Sequence, residues 1–95
     1  MLVEAIKERK LIKFWYKNLW RIAEPYTYGI HKDTDNEVLS AYQIDGFSHS
    51  GELPGWRLYL LSETSQIQKT DKIFTVARPG YNPNDSRMNR IFARF

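Results

Sequence analysis

Ninety-five residues, 42% hydrophobic and 26% charged, bound the chain to one domain with a single small core. Aromatic residues reach 15%, so that core is expected to be ring-rich, and the absence of cysteine excludes disulfides, thiolate nucleophiles and cysteine metal sites. The opening MLVEAIKERK puts Glu4, Lys7 and Glu8 where a signal peptide needs apolar residues, and no apolar run reaches the ~20 residues of a membrane helix, so a soluble, cytoplasmic protein with no membrane partner is expected.

Leu2 to Lys10 reads as a short helix with Leu2, Ala5 and Ile6 on one face, too short to stand without docking. Leu11 to Lys17 alternates strictly. Ile12, Phe14 and Tyr16 face one way and Lys13, Trp15 and Lys17 the other, which predicts a strand ending in a turn at Asn18. Trp20 to Ile30, WRIAEPYTYGI, is the long strand around which the rest is arranged. Trp20, Ile22, Tyr26, Tyr28 and Ile30 share a parity; Pro25 cannot donate to a ladder and predicts an edge, bulge or bend, with Gly29 as a second place to coil.

Asp33 to Asn36 is a polar turn, and Glu37 to Asp45 is a strand apolar on both faces, hence central to the sheet. Gly46 to Gly55 reads as a ten-residue loop, Trp56 to Leu61 as a strand, and Ile67 to Ala77 as at least one more. Past the turn-forming PGYNP, Met88, Ile91, Phe92 and Phe95 recur at i, i+3, i+4 and i+7, with Arg87, Arg90 and Arg94 off that stripe. This predicts an amphipathic helix over 84–95 that closes the core. Taken together, the expected architecture is mainly β with flanking helices: a helix over 1–10, a small bent antiparallel sheet over 11–77 curled into an SH3-like or Sm-like barrel, and the terminal helix.

Charge is unevenly spread. Residues 1–21 carry net +4, residues 22–75 net −4 and residues 76–95 net +3. Two basic ends meeting in space would attract phosphate.

The stretches AIKERKLIKFWY, EPYTYGI, LSAYQ and WRLYLL resemble the WYL domain in order and spacing, over about residues 3–75. The resemblance implies an Sm-like barrel of the kind that follows a DNA-binding helix-turn-helix in bacterial regulators and senses nucleotide or nucleic-acid ligands through a basic, aromatic-lined site. The name-giving Trp-Tyr-Leu aligns with Glu37, Val38 and Leu39, so only the leucine is kept. Arg57, Tyr59 and Leu61 keep the family's Arg-x-Phe-x-Leu pattern, and Ser62, Glu63 and Thr64 replace its Asp-Arg-Ile. With no helix-turn-helix ahead of residue 1, a divergent, free-standing member is expected.

Arg57, flanked by apolar residues and matching that pattern, is the first candidate for a phosphate contact; a surface arginine on an edge strand is the alternative. Arg21 and His31 share a parity on the long strand and could flank the same pocket, although a lone strand histidine is more often an ordinary polar residue. Trp15 between Lys13 and Lys17 offers a stacking platform for a base, unless a terminal helix covers it. His31 and His49 alone cannot complete a zinc site, and Asp33-x-Asp35-x-Glu37 lacks a calcium loop's glycine and final glutamate. Ser48-His49-Ser50 lacks an oriented acid, and no Gly-rich phosphate loop is present. The expectation is a regulatory domain without cofactor, metal or catalysis that binds a nucleotide or single-stranded nucleic acid, or alternatively a protein-interaction module.

Overall fold

The computed structural model describes residues 1–47 and 54–95. The predicted Gly46–Gly55 loop, with Ser48, His49 and Ser50, therefore lies largely outside the described residues. Helix α1 (Leu2–Glu8) is followed by strands β1 (Lys10–Tyr16), β2 (Leu19–His31), β3 (Glu37–Gly46) and β4 (Gly55–Leu60). A 3-10 turn over Leu61–Glu63 leads into β5 (Thr64–Ile73), and β6 (Met88–Arg94) ends the chain. No helix among the described residues is long and apolar enough to cross a membrane.

All six strands form one antiparallel sheet in the order β4-β3-β2-β1-β5, with β6 added on β2. The expected closed barrel is not formed. Strands β4 and β5 are the two edges of an open sheet, and no ladder joins them among the described residues. The sequence features read as barrel corners do something else. On one edge, Leu19 to Ala23 pair with β1, whereas Thr27 to His31 pair with β6. Pro25 falls in the gap between these ladders, where a missing N–H costs nothing. An extra residue at Tyr26 bulges β2 against β3, and Gly29 is where β6 comes closest: a Cβ there would lie 2.1 Å from the Arg90 carbonyl oxygen. The bends change partners along one strand instead of curling the sheet.

The predicted terminal helix over 84–95 is strand β6. Asn89 and Phe92 are extra residues in its ladder with β2, and each bulge breaks the two-residue alternation. Met88 and Ala93 are buried while Phe92 is 39% exposed, so bulges, not helical turns, produced the apparent 3.6-residue period.

Two apolar clusters hold the domain. Leu2, Ala5 and Ile6 of α1 pack on Ile12, Phe14, Ala23, Leu39 and Tyr59. Strand alternation puts the second cluster on the opposite face. Its hub is Tyr26, whose ring centroid lies 4.8 Å from Trp56, 5.3 Å from Phe74, 5.2 Å from Tyr81 and 5.3 Å from Phe95. Phe74 and Tyr81 thus draw the segment 74–81 across that face as a strap. Arg78, between them, clamps it: Nε and Nη2 each donate at 3.0 Å to the buried carboxylate of Glu24, which also accepts the Tyr26 hydroxyl at 2.8 Å.

Candidate functional site

The strap and the turn that follows form one wall of a cleft of about 340 Å³ over the β3–β4 edge. Strands supply Thr27, Ser40, Trp56 and Arg57, and the turn supplies Tyr81 and Arg87. The wall is fixed by short-range chemistry. The Trp56 indole N–H donates to the Pro79 carbonyl at 2.8 Å, and the Tyr81 hydroxyl donates to the Phe95 carbonyl at 2.9 Å. Gly80 has φ +94° and passes so close that a Cβ would sit 3.0 Å from the Trp56 Nε1. Only glycine meets both demands without strain.

Arg87 enters the cleft already oriented. Its Nε and Nη2 donate to the two oxygens of Asp85 at 2.9 and 2.6 Å, and Nη2 lies 3.4 Å from the Ser40 hydroxyl. These bonds pull the Asp85 carboxyl below its ordinary 3.8, against an opposing contribution from burial, and hold Arg87 more firmly protonated. Arg57 also lines the cleft, its Nη1 donating at 2.8 Å to the Trp56 carbonyl. The cleft therefore combines two guanidiniums, one carboxylate, the two aliphatic hydroxyls of Thr27 and Ser40, and the aromatic side chains of Trp56 and Tyr81. A tetrahedral anion and a planar ring are the ligand features such a set can hold.

The six residues singled out from sequence do not form one site. Arg57 lies in the cleft. Arg21 and His31 do not flank a common pocket, because the Tyr26 bulge breaks the parity they share. Arg21 is 3% exposed among core rings, its guanidinium 5.0 Å from the Tyr16 centroid and 5.7 Å from that of Tyr59. It donates to the Gln43 side chain and the Tyr16 carbonyl, and its Nε–H has no partner among the described residues. Burial pushes the neighbouring Tyr59 phenol up to about 12, with the Arg21 charge acting the other way. His31 sits at the far end of β2, paired with Met88, its Nδ1 accepting from the Asp33 amide at 3.1 Å.

Lys13 and Trp15 lie on another part of the sheet, and Lys17 follows β1 in a turn at φ 51°, its Nζ 5.5 Å from the Tyr16 ring centroid. Trp15 is 37% exposed and pairs directly with Trp20, so no helix covers it. The Lys13 Nζ stands 5.4 Å from the Trp20 ring centroid, and Lys17 is 3.6 Å from a Glu63 carboxylate oxygen.

Sequence reasoning missed Trp56, Tyr81, Asp85 and Arg87. The available signals were the net +3 of residues 76–95 and the turn-dense PGYNPND, which presents polar groups from irregular backbone. No protein-family model, curated protein or solved structure matches this chain.

Proposed function

We propose that the domain is a non-catalytic regulatory module that binds a phosphate-bearing nucleotide in the cleft between β4 and the 79–87 turn. The observation that carries this reading is the convergence of Arg57 and Arg87 with Trp56 and Tyr81 around a hollow of about 340 Å³. That size suits a ligand of one nucleotide. Arg87, preset by Asp85, and Arg57 take the phosphate, and the aromatic side chains take the base. The WYL resemblance points to the same ligand class. A single-stranded nucleic acid presents this chemistry in extended form, with exposed Trp15 as a separate stacking surface.

The test is a binding screen of nucleotides and single-stranded DNA and RNA against the purified domain, repeated over a salt series. Arg57→Ala is expected to weaken binding and to flatten the salt dependence by about one contact. Trp15→Ala weakens binding by ~1–3 kcal/mol only if an extended strand is the ligand. No binding at ~50 mM salt, where charge is least screened, would overturn the proposal. A second reading, a protein-interaction module, is favoured by one observation: Trp15 and Phe47 are exposed on either side of Trp20.

A further inference from the structure

The face that carries Trp15 is apolar well beyond that residue. Trp15 opposes Trp20 across the β1–β2 ladder, and the Trp20 ring meets Phe47 edge-on at 5.8 Å. Phe47 is 54% exposed. Beside these rings Leu11, Ile22 and Ile44 line a hollow of about 350 Å³. The strap 74–81 covers this face around Tyr26, in one cluster with buried Leu11; Ile22 and Ile44 are half-buried at its margin, and Trp15 and Phe47 beyond it are exposed.

Charge on the patch follows the register. Lys13 is the Cα partner of Ile22 on one side, and Asp45 is its partner on the other. An extra residue at Ile44 bulges β3 here, so that Asp45 joins Ile22 in lining the hollow. A cation and an anion thus flank Ile22 at equal strand spacing, about 10 Å apart. Neither is in an ion pair among the described residues: Lys13 lies over Trp20, and Asp45 accepts from the Gly46 amide at 2.7 Å.

We infer that this face is a homodimer interface, formed by two copies packed sheet on sheet about a two-fold axis parallel to β2 and passing over Ile22. Rotation about that axis exchanges the two sides of β2. Each Lys13 then stands opposite the second copy's Asp45, while Trp20 and Ile22 meet their own counterparts. An isologous interface requires this self-complementarity, and face-to-face sheet packing supplies the geometry. The row Lys13–Ile22–Asp45 is neutral, unlike a surface built for phosphate, and the further charges at the hollow, Asp71 and Lys72, are of opposite sign. An anionic strand is therefore the poorer occupant.

The experiment is sedimentation velocity on the full chain over a concentration series, with a charge-swap pair of variants, Lys13→Glu and Asp45→Lys. Wild type is expected to shift from monomer to dimer as concentration rises. Each variant alone places like charges across the axis twice and is expected to dissociate about tenfold more readily. Mixed in equal amounts, the two variants restore opposite charges at both contacts and recover the wild-type dimer. Both positions are surface residues, and circular dichroism checks that each variant keeps the wild-type fold. A wild type monomeric throughout, or a dimer indifferent to both variants and to their mixing, overturns the inference. So does a monomer that binds single-stranded oligonucleotide and loses it on Lys13→Glu.

Discussion

Replacing Arg78 by alanine probes both the fold and the site, because Arg78 holds the strap that walls the cleft. Its Nε and Nη2 sit 3.0 Å from the two oxygens of Glu24, a residue only 4% exposed. The substitution removes two charge-assisted hydrogen bonds, each worth ~1.5–3 kcal/mol. The Tyr26 hydroxyl is then the one remaining partner of that carboxylate among these contacts. Breaking a fully buried pair costs ~3–5 kcal/mol. Here the Arg78 side chain is 42% exposed, so solvent screens the pair and the expected loss falls to about 2–3 kcal/mol. For a domain of this size that lowers Tm by roughly 10–20 °C. Urea unfolding followed by circular dichroism measures it. Adding Glu24→Gln to Arg78→Ala replaces the stranded charge with a neutral amide and is expected to recover part of the loss. A loss below about 0.5 kcal/mol, the range of ordinary surface substitutions, would refute the clamp. So would a double variant less stable than Arg78→Ala.

Two further outcomes follow from the same geometry. Ala93→Asp puts a charge against the α1 cluster and is expected to cost several kcal/mol, about the scale of a buried unpaired charge, whereas Phe92→Asp at the exposed bulge costs ~1 kcal/mol; thermal melts in the reverse order would mean that residues 88–95 pack as a helix. Asp85, held below its ordinary 3.8 by Arg87, contributes stability that is present above that value and lost as pH falls through the folded pKa. The urea-unfolding difference between wild type and Asp85→Asn is therefore expected to be flat near neutrality and to narrow below pH 3.8; a difference independent of pH would contradict the pairing.

Where the pattern was regular, the sequence was legible. Helix α1, strand β1 and the Asn18 turn stand within two residues of where their patterns put them, β3 is the apolar two-faced strand expected despite its bulge at Ile44, and Pro25 adjoins the bulge it suggested. The losses trace to extra residues that alternation cannot anticipate. Tyr26 breaks the parity that joined Arg21 to His31, and Asn89 with Phe92 gives a strand helical spacing. The barrel failed for a related reason. Bends at Pro25 and Gly29 were visible, but not that a terminal strand would occupy the edge they opened. The cleft was least legible, because Tyr81, Asp85 and Arg87 sit on or beside a turn with no period and are placed by long-range contacts to Phe95 and Ser40 and by the Arg78–Glu24 pair that holds the strap. Arg57 alone stood out in advance.

The central claim, a nucleotide held between β4 and the 79–87 turn, is tested most directly by titrating isotope-labelled protein with a nucleoside monophosphate and following amide and indole resonances by NMR. Saturable shifts are expected at the Trp56 indole N–H and at the Gly80, Tyr81 and Arg87 amides, with Trp15 and Trp20 indoles unmoved, and Arg87→Ala should abolish the saturation. Shifts confined to Trp15 and Trp20, or none at ~50 mM salt where phosphate contacts are strongest, would contradict the account.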